Sequence, residues 1–198
     1  MSNKTMPTPI PKNISDEELL TLLHSKDRME EAFGFLVDRY SPQLYSVVIR
    51  IVFNHDDTDD ILQNVFIKVW KNIAGFRGDA KLSTWMYSIA TNEALSFLRK
   101  EKKELKVPLS TGEYDLSEML ESDPYFDGDE LMKDFMVAID KLPDKQKVTF
   151  ELRYFEEKPY NEIAEITGTS VGALKANYHH AVKKLQKFLG VSSDEELD

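Results

Sequence analysis

Apolar residues recur along most of this chain at steps of three and four, the period that lays one stripe along an α-helix. Leu19, Leu20, Leu22 and Leu23 follow Ser15, Asp16 and Glu17, and carboxylates suit a helix's first turn, so a helix is predicted to start near Ser15. Ala32, Phe33, Leu36, Val37, Tyr40, Leu44, Val47, Val48, Ile51 and Val52 continue the period, with Pro42 expected to break or kink it. Ile61, Leu62, Val65, Phe66, Val69, Trp70 and Ile73 make a further stripe behind Asp56, Asp57, Asp59 and Asp60, read as capping and solvating a helix start. The segment GFRGDAKLSTW predicts a loop, with Ser83 or Thr84 placed to cap the helix WMYSIATNEALSFLRKEKK. Trp85, Ile89, Leu95 and Leu98 face inward on that helix, and Tyr87, Asn92, Ser96, Arg99 and Lys103 fall on its other faces.

The period fades over 107–130, where Pro, Gly, Ser and acidic residues predict an extended linker. It resumes at Leu131, Phe135, Val137, Ala138 and Ile139; Leu142-Pro143 ends that helix and 144–157 forms another. Residues 159–187, PYNEIAEITGTSVGALKANYHHAVKKLQK, have helix-turn-helix spacing. The first helix begins at Pro159, Gly168 supplies the bend, and Ser170 caps a second helix running to about Leu189. Val171, Leu174, Tyr178, Ala181, Val182, Leu185, Phe188 and Leu189 form its buried stripe, leaving Lys175, Asn177, His179, His180, Lys183, Lys184 and Lys187 largely outside. The pattern predicts an all-α protein: a flexible tail 1–13, two small helical domains over 14–106 and 131–189 joined by the linker, and a tail 190–198.

A net charge of −10 argues against nucleic acid as a partner until its distribution is considered. Ten acidic residues stand against Lys133 alone over 107–140, and Asp194, Glu195, Glu196 and Asp198 make the C-terminal tail acidic. Residues 141–189 are net basic, 1–106 are neutral, and RKEKKELK at 99–106 holds five basic residues at a helix end. Such a run reads either as a solvated face or as a phosphate contact. The absence of cysteine removes disulfides and thiolate metal sites and suits a reducing cytoplasm. No apolar run has the length of a membrane span, so no membrane insertion is expected. No nucleophile–base pair, phosphate loop or ligand cluster points to a catalytic residue, metal or cofactor. His179 and His180 are neighbours on a helix and diverge by about 100°, which disfavours a shared metal.

Two separated stretches, DDILQNVFIKVWKNIAGFRGDAKLSTWMYSIATNEALSFLRK and LPDKQKVTFELRYFEEKPYNEIAEITGTSVGALKANYHHAVKKL, resemble in that order the two conserved regions of a bacterial sigma factor. The short two-domain form is similar to the extracytoplasmic-function group of the sigma-70 family. The resemblance implies a promoter-recognition subunit of RNA polymerase, not an enzyme, with core RNA polymerase and promoter DNA as partners. An anti-sigma factor is commonly a further partner in this group. Carried onto this chain, it gives Asp60, Gln63, Asn64, Phe66 and Ile67 to core-polymerase docking. Asn92, with Tyr87, Ser96 and the loop 76–84, would hold a base extracted from the promoter −10 element, and Arg99, Lys100 and Lys103 its backbone. Ser170, Lys175, Asn177, His180 and Lys183 would read the −35 element. The acidic linker resembles the segment occupying the polymerase's template and RNA-exit path.

One departure stands out: Asn177 and His180 lie where many relatives carry arginine. Fewer fixed cations predict weak intrinsic DNA binding that responds to histidine protonation. Two other classes compete. A helix-turn-helix activator requires a receiver or ligand domain upstream, where 14–106 reads as helical throughout; a protein-only helical adaptor leaves Asn92, the basic end and the helix-turn-helix unexplained.

Overall fold

The structure, a computed structural model, describes residues 9–104 and 130–191. Residues 107–129 of the predicted 107–130 linker, residues 1–8 of the predicted N-terminal tail and 192–198 of the C-terminal one lie outside the described residues, and Glu130, predicted to end the linker, already begins a helix. No strand occurs among the described residues. Four helices precede the undescribed segment: α1 (Asp16–Leu23), α2 (Met29–Val52), α3 (His55–Asn72) and α4 (Leu82–Glu104), with a 3-10 turn at Ile73–Gly75. Four follow it: α5 (Glu130–Asp140), α6 (Asp144–Phe150), α7 (Tyr160–Thr167) and α8 (Val171–Phe188), and a π-helical turn, Glu151–Phe155, extends α6.

Local chemistry fixes most boundaries. Ser15 and Glu18 form a reciprocal capping box at α1, satisfying two donors that a bare helix start leaves orphaned. At α3 the cap is Asn54, whose side chain accepts from the Asp57 N–H at 3.0 Å, so the aspartates occupy the first turn and do not cap it. Gly168 ends α7 with φ +65°, a left-handed conformation glycine adopts without strain, and its N–H returns to Ala164 O at 2.9 Å. Ser170 caps α8 by accepting from Ala173 N–H, as expected.

Several expectations change. α2 runs unbroken through Pro42: buried Leu36 and Tyr40 before it and Leu44 and Val47 after it hold one face in the core, which outweighs the lost backbone bond. α4 starts at Leu82, one residue before the predicted cap pair; Thr84 lies inside the helix, buried, its hydroxyl without a hydrogen-bond partner. Pro159 is the N-cap of α7, preceding its first turn. Phe188 leaves the predicted buried stripe and is 50% exposed, its ring under the Lys141 ammonium at 4.1 Å.

The two helical units share their cores. Val148, Leu152, Ile163, Ile166 and Leu174 of the second unit join Leu36, Leu44, Val65, Met86 and Ala90 of the first in one buried cluster. In the other direction, Ile49 and Phe53 pack among Met136, Ile139, Leu142, Phe150, Ala181 and Leu185. Phe53 caps α2 at φ +55°, a costly conformation for an aromatic residue that persists where packing over-determines it. α7 lies against α4, and the π-helical turn lies against α2.

Candidate nucleic-acid interface

α4 carries two faces with different fates. Trp85, Ile89, Asn92 and Ser96 follow one another at steps of four, three and four, so they line one side of the helix. Trp85 and Ile89 border an open-sided cleft of about 650 Å³, completed by Lys68 and Asn72 of α3 and by Phe76, Arg77 and Asp79 of the loop. The Phe76 and Trp85 rings stack with centroids 4.7 Å apart. Asn92 and Ser96 are exposed on the next turns, outside the cleft lining, with Asn92 Nδ2 3.5 Å from Ser88 Oγ.

Tyr87 departs from the expected grouping. It lies five residues before Asn92, about 140° around the helix, and is 3% exposed. Its hydroxyl donates to Glu156 Oε2 at 2.6 Å, the Lys158 ammonium sits 4.1 Å from its ring centre, and burial together with Glu156 raises its pKa. In this arrangement it cannot stack on a base. Sequence period put Trp85 inside and Tyr87 outside; the second unit reverses that by covering Tyr87, while the loop leaves Trp85 beside open space. The signal for Trp85 was its place two turns before Asn92 on the same stripe, directly after a loop holding Arg77 and Lys81.

The basic end of α4 keeps Arg99, Lys100 and Lys103 exposed, while Lys102 pairs with Asp144 of α6. On α3, Asp60, Gln63, Asn64 and Ile67 share an exposed face at three- and four-residue steps. Phe66 beside them is half-buried. Ile67 and Trp70 are 44% and 38% exposed, and Trp70 meets Phe33 edge-on with centroids 4.8 Å apart. Trp70, assigned by period to the core, thus extends the outward apolar surface. Asp57 has its pKa raised by partial burial, with Asp60 and Asp56 adding to it.

α8 is simpler. Ser170, Lys175, His180 and Lys183 are exposed, as is His179, and Asn177 is half-buried. The His179 and His180 ring centres are 5.9 Å apart. Lys175, His179 and Lys183 recur every four residues, so the exposed side presents two fixed cations with an imidazole between them. Leu174, Ala181 and Leu185 anchor the opposite side in the core. Of the residues expected at DNA, the structure thus brings Asn92 and Ser96 together, puts Lys175 and Lys183 on one exposed side of α8 with His180 beside Lys183 but about 140° around from Lys175, and sets Tyr87 apart. Among the described residues, no three His, Asp or Glu side chains group as metal ligands, and no helix is long and apolar enough to cross a membrane.

The sigma-70 region 2 family matches residues 36–104, and the sigma-70 region 4 family matches residues 132–185. The ECF RNA polymerase sigma factor SigW of Bacillus subtilis is 32% identical over 168 residues, spanning 81% of this chain and 90% of the relative. The Escherichia coli ECF RNA polymerase sigma-E factor is 28% identical, with 86% and 92% covered. Among solved structures, the sigma factor RpoE in complex with the anti-sigma factor NepR, from Bartonella quintana, aligns with a TM-score of 0.61 at 24% identity over 85% of this chain and 99% of that one. CnrH in complex with the cytosolic domain of CnrY aligns with a TM-score of 0.64 at 21% identity over 90% and 99%. With both conserved regions present in order on one helical fold, this chain belongs to the extracytoplasmic-function group of sigma-70 RNA polymerase sigma factors.

Proposed function

We propose that three exposed faces divide the work of transcription initiation. The α3 face, with Asp60, Gln63, Asn64, Ile67 and the edge of Phe66, docks on core polymerase, its polar contacts orienting an apolar centre to which Trp70 contributes. The α4 stripe and the loop cleft take a base from the −10 element. Extracting a base costs a few kcal/mol of stacking; the Phe76–Trp85 stack and the polar groups of Asn92, Ser96 and Arg77 are the compensating partners. Arg99, Lys100 and Lys103 hold the strand's phosphates. On α8, Lys175 and Lys183 contact phosphate or guanine, Ser170 and His180 lie beside them, and Asn177 offers a bidentate partner for adenine in the −35 element.

The observation that carries this reading is the aromatic-walled cleft one turn before Asn92, on the same side of a helix that ends in exposed cations. The chain has no catalytic role of its own, acts in the cytoplasm beside polymerase, and is held by an anti-sigma factor when inactive. The complex that one structural neighbour forms with an anti-sigma factor supports that last point. Run-off transcription with purified core polymerase on fragmented genomic DNA tests the whole. Asn92→Ala is expected to impair strand opening more than initial binding, and Lys175→Ala the reverse. Equal effects on both steps would refute the division.

A further inference from the structure

The loop that walls the base cleft stands between two hollows. Phe76, Asp79 and Ala80 line the cleft beside Trp85 and also a second cavity of about 370 Å³ behind the loop, whose far wall is Asp16, Glu17 and Leu20 of α1. A loop with space on both sides keeps its shape only where it is held, and the α1 segment holds it at two points. At its base, the Nε2–H of His24, directly after α1, donates to the Ile73 carbonyl at 3.0 Å, the same oxygen that accepts the Phe76 N–H at 3.1 Å. At its bend, Gly78 takes φ +79°, and Leu20 Cδ2 lies 3.7 Å from where a Cβ would stand on it, so the Leu20 side chain backs the turn. The brace is itself fixed. Leu19 and Leu23 are buried in the core, and Asp16 accepts from Arg39 Nη1 at 3.0 Å and from the Tyr40 hydroxyl at 2.6 Å. Arg39 Nη2 also donates to the Ile14 carbonyl at 2.6 Å, tying down the chain that leads into α1. The whole of α1 lies outside residues 36–104, the stretch that matches sigma-70 region 2.

We infer that α1 braces the loop 76–81 and that His24 is a positioning residue for strand opening. It acts through the loop and touches no base. By fixing the Ile73 carbonyl it fixes the N–H of Phe76, and so the ring that stacks on Trp85 with centroids 4.7 Å apart. A wall ordered beforehand loses no loop or side-chain freedom when the base arrives, which favours capture. The consequence for base capture rests on the role proposed for the cleft; the brace does not.

The chain's two tryptophans are Trp70 and Trp85, so Trp70→Phe leaves Trp85 as a unique reporter beside the loop. In the free full chain carrying Trp70→Phe, His24→Ala should shift Trp85 emission to the red and raise its quenching by acrylamide, and Leu20→Ala should do the same. His24→Gln, which keeps an N–H donor at similar reach, should restore the parent values. His24 is exposed, so its truncation leaves the core filled, and circular dichroism confirms that each variant folds. With core polymerase and Trp70 retained, His24→Ala removes one hydrogen bond and should lower permanganate-reactive open complexes about fivefold at unchanged closed-complex affinity. His24→Gln should again restore them. An unchanged Trp85 signal in both alanine variants, or failure of glutamine to restore it, overturns the brace. A changed Trp85 signal with undiminished open complexes upholds the brace and overturns the assignment of the loop cleft to base capture.

Discussion

α4 and α8 are the two helices this chain would lay against DNA, and the structure treats them differently. α8 is anchored by a narrow apolar stripe and offers its other side freely, so its polar residues answer to solvent and ligand alone. α4 is packed on α2 and α3 and then covered again by α7, so one side lines the loop cleft and another is buried under the second unit. A helix with one solvated side can read DNA as it stands. A helix packed on several sides has binding coupled to how its neighbours are arranged, and there a conformational equilibrium can control access.

The widest gap between the two should appear in stability. Ile163→Ala, in α7 within the shared core, is expected to cost about 2–5 kcal/mol, whereas Lys175→Ala on the free side of α8 should stay within about 0.5 kcal/mol; urea titration followed by circular dichroism measures both. Similar values would mean that the α4–α7 contact carries little of the fold. Next comes the cleft. Trp85→Ala removes one stacking surface, worth about 1–3 kcal/mol per base, so permanganate-reactive open complexes should fall roughly ten- to hundredfold while closed-complex affinity barely moves. On α8, Lys183→Ala should lower affinity uniformly across sequences and reduce the log–log salt slope by about one, a change that Trp85→Ala should not share.

The smallest effect is that of pH, and it belongs to the packed region. Burial pushes the Glu151 carboxyl up from its ordinary 4.5 to about 8, against the pull of Arg50 and with a further push from Glu156. Arg50 faces it from α2, while Glu156 lies on its own segment and ties it to Tyr87 of α4. Because the folded structure raises this pKa, folding takes up a proton at Glu151. The contribution of Glu151 to stability is therefore greatest at low pH, falls as pH rises from about 4.5 to about 8, and levels off above that. Urea titrations at pH 6 and 8.5 should show this fall, and Glu151→Gln should abolish it.

Much of this was legible in the residues. The capping box at Ser15, the glycine bend at Gly168 and the Ser170 cap depend on backbone donors a few positions away, so local sequence sufficed. The exposed sides of α3 and α8 also followed from period, because each needs only one side to be dry. Tyr87, Trp85, Trp70 and Pro42 were not legible, and the reason is common to all four. Whether an aromatic faces a neighbour or open space, and whether a helix survives a proline, depends on what distant segments place against it.

Alone, the chain of residues determined the all-α class, the helix-turn-helix, the segregation of charge and the family, since these reside in short-range periodicity and motif order. Tertiary structure alone decided that the two units share a core and that Arg50 is gripped by Glu151 and Glu156, about a hundred residues onward. No local pattern encodes that pairing. An arginine on a half-polar helix and a glutamate beside a phenylalanine look like ordinary surface residues until packing removes the water between them and makes their charges depend on each other.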